Sequence, residues 1–278
     1  MTPDASTGDL PAVSERASPH HRVHAVGLDG KPGAVVALPL AFSSPVRPDL
    51  IARAVVAAQS HHRQPFGTSP TAGARHSVQW SGKGKGVART PRLMDSMRGA
   101  QAPNTVGGRP AHPPKVATIW EKKINRKERL LAFASALAAT RETKLAEGRG
   151  HMLPHSLHLP VVIDDPVEEI QRTHDARLLL ERLKLWDDVE RARSGTHLRA
   201  SGRARRRGRV RRTPRSLLVV TSGPGKALGF RNLAGVEVVS ARRLATEDLA
   251  PGGDAGRLTM FSRAAVEMLR ERLGEVAP

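Results

Sequence analysis

The chain contains no cysteine. That absence excludes a disulfide framework, a thiolate zinc site, an iron–sulfur cluster and a cysteine nucleophile. No run of about 18 apolar residues occurs, which excludes an apolar membrane-spanning helix. The first 30 residues include Asp4, Asp9 and Glu15 and lack an apolar stretch, so no secretory signal is expected. Aromatic residues are only 3% of the chain and are not interleaved with cations, which argues against a single-strand stacking platform. Acids are missing from two places in particular. Between Gln59 and Lys115 nine basic residues face one acid, Asp95, and between Arg191 and Arg215 eleven arginines face none.

Those two stretches carry the entire formal charge of +19, and the remainder of the 278 residues is electrically balanced. With 39% hydrophobic residues the balanced part has enough apolar material for a core, in one large or two small domains. The reading is therefore an intracellular protein whose even-handed body folds alone and bears two cationic segments. Each segment repels itself and buries too little apolar surface to offset its ordering entropy. A chain of phosphates, whose counterions are displaced on contact, is the partner that supplies the missing free energy. A single charge run is as often a solvated face, but two internal runs holding the whole excess weaken that explanation. A membrane surface fits poorly, because glycine and proline break the first stretch and no large apolar face accompanies it.

Along the chain, residues 1–20 read as a disordered leader. Val23–Gly27 and Ala34–Leu38 flank Asp29-Gly30 as a hairpin. Pro48 opens a helix whose Leu50, Ile51, Ala54, Val55 and Ala58 form one apolar stripe, ending before Pro65. From Phe66 to Pro114 no helix or strand period is sustained, and eight glycines and six prolines punctuate the segment. A loop of that length is a functional extension or a mistaken assignment. Its glycines and cations suit threading a crevice in folded nucleic acid. Regularity returns with a helix over 126–146. Short apolar strands follow at 159–163, 217–220, 236–239 and 258–261, with a helical region that begins after Asp164-Asp165-Pro166 and continues over 178–185, and a last helix capped by Ser262. Strands separated by helices predict an α/β fold, a mostly parallel sheet with helices on both faces, plus the long basic internal loop. The globular domain is divided as 21–65, 115–194 and 216–278, interrupted by the loop 66–114 and an arginine-rich loop 195–215.

Catalytic readings are weak. Gly223-Pro224-Gly225-Lys226-Ala227-Leu228-Gly229 is one residue too long for a dinucleotide loop, and Glu237 falls too early to bind a ribose. Gly82-Lys83-Gly84-Lys85-Gly86 lacks the Walker spacing. His61-His62 point apart on a helix, and His155 with His158 has no third ligand nearby. Asp164-Asp165 is read as a helix cap rather than a carboxylate pair. The cluster Arg203, Arg205, Arg206, Arg207, Arg209, Arg211 and Arg212, by contrast, offers forked phosphate contacts that lysine cannot make. Trp80 and Phe66 are possible base-stacking rings, though recognition through backbone and shape fits better.

The segments RPDLIARAVVAAQSHHRQPFG (47–67), GKGKGVARTPR (82–92), GGRPAHPPK (107–115), IWEKKINRKERLLAFASALAATR (119–141), LWDDVERAR (185–193) and APGGDAGRLTMFS (250–262) resemble the large-subunit ribosomal protein L-four family, in its archaeal and eukaryotic branch. The archaeal form is favoured by GGRPAHPPK. The resemblance implies an α/β domain on the outer face of the large subunit. It also implies a loop, here Phe66–Pro114, that penetrates the ribosomal RNA and helps line the nascent-peptide exit tunnel. The tip, around Met94–Gly107, would lie opposite the L-twenty-two protein, and the basic run 199–215 against RNA nearer the body.

The expected function is a structural, non-catalytic constituent of the large ribosomal subunit, residing in the cytoplasm. Its partners are ribosomal RNA and neighbouring ribosomal proteins, with no cofactor, metal, membrane or small-molecule substrate. The candidate RNA-binding residues are Arg63, Arg75, Lys83, Lys85, Arg89, Arg92, Arg98, Arg109 and Lys115 in the first stretch. In the second they are Arg199, Arg203, Arg205, Arg206, Arg207, Arg209, Arg211 and Arg212. The rival readings are an RNA-modifying or nucleotide-dependent enzyme with basic arms, and a free RNA-binding regulator. The enzyme requires a pocket at the carboxyl ends of the strands.

Overall fold

The computed structural model describes residues 22–154 and 157–274, so the leader expected over 1–20 and His155 lie outside it. Two compact units are present. One is formed by the chain up to Ala58 and from Lys123 onward, the other by Gln59–Lys122.

In chain order, β1 (Arg22–Val26) and β2 (Pro32–Ala37) form the antiparallel hairpin expected around Asp29-Gly30. The helix α1 (Pro48–His61) starts on its proline, where no backbone donor is needed, and buries Leu50, Ile51, Ala54 and Val55. The second unit follows with β3 (Val78–Trp80) and β4 (Pro91–Leu93). The chain then returns through α2 (Arg126–Ala139) and α3 (Thr143–Gly148). The single helix expected over 126–146 is thus two. The hydroxyl of Thr140 donates to the carbonyl of Leu137, and the amides of Thr140, Arg141 and Glu142 reach back only three residues. That tightening, with Glu142 extended, ends the helix.

Next come β5 (Val161–Ile163), α4 (Thr173–Arg182) and α5 (Trp186–Ser194), then β6 (His197–Leu198), α6 (Arg203–Arg206) and β7 (Arg211–Arg212). The last elements are β8 (Leu218–Thr221), β9 (Glu237–Ser240), α7 (Thr246–Leu249), β10 (Thr259–Ser262) and α8 (Arg263–Leu273). The main sheet runs β2-β1-β5-β10-β8-β9, parallel throughout except at the β1–β2 edge. Successive residues of a strand feed opposite faces. Val162, Leu218, Val220 and Phe261 pack with α1, α2 and α8 through Ile51, Val55, Phe133, Leu137, Val266 and Leu269. Val161, Ile163, Val219 and Met260 pack with α4 and α5 through Ala176, Leu179, Leu180 and Val189. Helices therefore cover both faces, as the alternation of strand and helix predicts.

Asp164 and Asp165 behave differently from the cap expected of them. Asp164 precedes a short 3-10 turn, Asp165–Glu169, without capping it through its side chain. Asp165 Oδ1 instead accepts from the amide of Ala264, 2.7 Å away, at the start of α8. Parallel pairing of β5 with β10 brings the two strand ends together, so one carboxylate serves the neighbouring helix. Ser262 caps α8 as expected, accepting from the amide of Ala265, a contact worth about 1 kcal/mol.

The unit Gln59–Lys122 is built on other terms. Where no strand period is legible, β3 and β4 pair antiparallel from Val78 opposite Leu93 to Trp80 opposite Pro91. The side-chain amide of Gln101 donates to the carbonyls of Ala74 and His76, and the amide of Thr68 to Pro114. Gly73, at φ +74°, leaves no room for a Cβ, which would fall 2.4 Å from the carbonyl oxygen of Gly108. Only Ser81, Pro91 and Ala100 are buried between Gln59 and Trp120 besides Ser60 in α1. Val106 and Ile119 are more than four-fifths exposed. Polar and backbone contacts, rather than an apolar core, hold this unit.

Candidate nucleic-acid interface

The first cationic stretch lies wholly within Gln59–Lys122, and the second forms a hairpin on the other unit. In the first, Arg63, Arg75, Lys83, Lys85, Arg89, Arg98, Arg109 and Lys115 are all exposed. Arg92 is half-buried. Its guanidinium donates to the carbonyl of Met97 at 2.7 Å and to that of Ala88 at 3.4 Å, pinning the turn after β4. Arg75 Nε donates to the hydroxyl of Thr71. The Arg63 guanidinium lies over the Trp120 ring, 4.0 Å from its centroid, and Phe66 is stacked on the same indole at 5.4 Å. Phe66, expected as a base-stacking candidate, thus already has an aromatic neighbour, whereas Trp80 is 65% exposed. Among the described residues none of the candidate cations is paired with a carboxylate.

The β3–β4 connection has a second feature. Gly82, Gly84 and Gly86 sit at φ of +69°, +80° and +64°, while Lys83 and Lys85 between them keep negative φ. Among the described residues, no backbone amide from Gly82 to Val87 donates to another backbone group, and a Cβ on any of the three glycines would meet nothing within 4 Å. Alternation of this kind turns successive amides toward one concavity, and such concavities hold anions. The two lysines flank it.

In the second stretch β6 and β7 pair His197 with Arg212 and Leu198 with Arg211, so the loop expected over 195–215 is a hairpin carrying one helical turn, α6. Arg203, Arg205, Arg206, Arg207, Arg209, Arg211 and Arg212 are exposed, and Arg199 is half-buried. Arg205 donates to the carbonyls of Arg199 and Ala200, closing the turn. The root of the hairpin rests on a buried hub that the sequence does not announce. Asp188 on α5 accepts from His151 Nδ1 at 3.1 Å, Arg191 Nε at 2.9 Å, Ser216 Oγ at 2.6 Å and the amide of Met152 at 3.1 Å. Arg191 also donates to the carbonyl of Arg215. Burial pushes the Asp188 carboxyl up, but the bonds from His151, Arg191 and Ser216 outweigh it and bring it down to about 2.

A sheet of this kind takes small ligands at the carboxyl ends of its strands. At the ends of β1 and β5 a hollow of about 500 Å³ is lined by Leu28, Pro166, Glu169 and Arg172, whereas at the ends of β8 and β10 the chain's own side chains engage one another. Glu168 accepts from the amide and hydroxyl of Ser222, from Ser262 Oγ at 2.6 Å and from Lys226 Nζ at 2.5 Å. Burial raises this carboxyl and those bonds lower it, the net being below the ordinary glutamate range. The glycine-flanked Lys226 that superficially suggests a dinucleotide loop has its charge engaged by Glu168. Among the described residues no cluster of three histidine or carboxylate side chains could hold a metal ion.

A cation-rich unit without an apolar core, and an arginine hairpin on an α/β body, agree with what comparison with known proteins finds. The profile of the Ribosomal protein L4/L1 family matches residues 36–272. The chain belongs to that family. Its relatives include the large ribosomal subunit protein uL4 of Methanopyrus kandleri, 45% identical over 254 residues, covering 89% of this chain and 97% of the relative. The uL4 protein of Methanosphaera stadtmanae is 43% identical over 249 residues, covering 89% and 96%. That of Pyrobaculum aerophilum is 45% identical over 256 residues, covering 91% and 90%. The resemblance to the archaeal branch is thereby shown. For this L4-family chain, sequence reasoning missed three features: the Asp188 hub, the Arg63–Trp120–Phe66 stack and the clamping role of Arg92. Each joins residues whose pairing no local pattern reveals, although Asp188 and Arg191 are one helical turn apart.

Proposed function

We propose that the chain is a structural constituent of the large ribosomal subunit that binds ribosomal RNA through two cationic surfaces and helps line the peptide exit tunnel. It has no catalytic role. The observation that carries this reading is the unit Gln59–Lys122: a segment with a one-sided charge, no apolar core and exposed, unpaired cations gains most of its stability from a polyanion. Arg75, Lys83, Lys85, Arg89, Arg98, Arg109 and Lys115 neutralise RNA backbone there. Arg63 offers phosphate a guanidinium seated over Trp120, and Arg92 supports the turn from within. Arg203, Arg205, Arg206, Arg207, Arg209, Arg211 and Arg212 form the second contact, with Arg199 at its base. The segment 66–114 is the tunnel-reaching extension. Its exposed Met94, Met97 and Val106 suit an apolar neighbour such as the L-twenty-two protein.

Limited proteolysis tests the reading. Cuts within 66–114 and 199–212 are expected in the free protein and are expected to vanish in assembled large subunits. Equal cutting in both would remove the support.

The glycine–lysine turn serves as a cradle for one phosphate. Gly84→Ala is expected to weaken RNA binding roughly tenfold with the salt slope unchanged, because no cation is lost and the left-handed φ is strained. Gly84→Asn, which tolerates that conformation, is expected to recover most of the loss. Filter binding over a salt series measures both. Asn and Ala variants of equal affinity would mean that the turn needs flexibility rather than shape.

A further inference from the structure

The body outside the two cationic stretches is neutral in sum, yet its charges are not evenly spread in space. Between α1, α2, the turn before α7 and the end of α8 lies a hollow of about 410 Å³, walled by Ala54 and Ala58 and lined by Arg129, Arg243 and Arg272. Three arginines from three distant parts of the chain therefore line one space, with Glu247 the one acid among the lining residues. Arg272 is fixed: its NH1 donates to the carbonyls of Ala241 at 2.7 Å and Leu244 at 2.9 Å, and the group lies over the Phe133 ring at 4.9 Å. Burial, and to a smaller extent the neighbouring charge of Arg129, lowers the Arg272 pKa. Arg129 and Arg243 are exposed, and among the described residues neither guanidinium has a hydrogen-bond or carboxylate partner.

We propose that this hollow is a third RNA contact, a pocket in which Arg129, Arg243 and Arg272 together hold a backbone phosphate of the ribosomal RNA. A like-charged cluster costs stability in isolation, and a phosphate relieves it while accepting from several guanidinium forks at once. RNA is the favoured source because Ala58, on the wall, lies one helical turn from the end of α1, and α1 leads the chain directly into the cationic unit. The inference rests on the ribosomal reading above.

The test is filter binding of the full chain to a large-subunit ribosomal RNA transcript over a salt series. Arg129→Gln and Arg243→Gln are each expected to lower affinity three- to tenfold and to reduce the log–log salt slope by roughly 0.7 to 0.9. Neither substitution touches the bonds that Arg272 makes to the body. Arg242→Gln, an exposed arginine outside the hollow, is the control and is expected to change affinity less than twofold. An equal loss in the control would overturn the pocket in favour of a diffuse field. Native RNA binding with impaired entry into large subunits would overturn it in favour of an acidic protein neighbour. Failure of the native chain to bind RNA with any salt dependence would overturn the ribosomal reading and this inference with it.

Discussion

Replacing Arg203, Arg205, Arg206, Arg207, Arg209, Arg211 and Arg212 by glutamine is expected to cost several orders of magnitude in affinity for ribosomal RNA at physiological salt. All seven are exposed and none has an acid partner among the described residues, so each is free to displace a counterion. If about ten of the candidate sites release counterions in the native complex, log affinity falls with log salt at a slope of roughly −7 to −9, and removing one of the two seven-residue sets is expected to reduce that slope by about half. The set replaced by lysine separates charge from geometry. Lysine keeps the slope but loses the forked contacts, so affinity is expected to drop by a smaller factor at every salt concentration. Filter binding from low to physiological ionic strength measures both quantities. A glutamine set with the native slope would show that the hairpin stays in solvent while RNA is bound.

Asp188→Ala is expected to be the most damaging single substitution in the body. It leaves His151, Arg191, Ser216 and the amide of Met152 without their common acceptor, inside a site where the carboxylate side chain is 1% exposed. Removing one member of a buried charged network costs about 3–5 kcal/mol. The same group sets an acid dependence. Its folded pKa of about 2 lies below the ordinary aspartate value of 3.8. A depressed carboxylate stabilises the fold above its unfolded pKa, and that contribution is lost as pH falls through the folded one. About 2 kcal/mol should therefore disappear between roughly pH 4 and pH 2. Urea unfolding of the native chain and of Asp188→Asn across that range checks it: the native curve should steepen where the asparagine variant does not. Parallel curves would place the acid sensitivity on another carboxylate. Because Arg191 links Asp188 to the carbonyl of Arg215, loss of the hub is also expected to loosen the arginine hairpin at its root.

The parts of the fold that could be read in advance share one property: each is encoded by neighbours in sequence. The stripe Leu50, Ile51, Ala54, Val55 faces the core because residues three and four apart share a helical face. The strands β8 and β10 announce themselves as short apolar runs, because both of their faces are covered. The candidate cations were legible as composition, and nearly all lie exposed. The helix break at Thr140 was not legible, since a threonine hydroxyl competes with the backbone only weakly and the alanines before it favour continuation. Nor was the β3–β4 hairpin, whose strands are three residues long and too short to show alternation.

The amino-acid sequence by itself determined that a neutral α/β body would carry two positive segments, because charge and periodicity are local quantities that need no partner to be counted. Tertiary structure alone decided which cations are free and which are spent. It closed Lys226 onto Glu168, laid Arg63 on Trp120, and gathered Arg129, Arg243 and Arg272 around one hollow. Those outcomes depend on distances between residues far apart along the chain, which only the packing of the folded protein specifies.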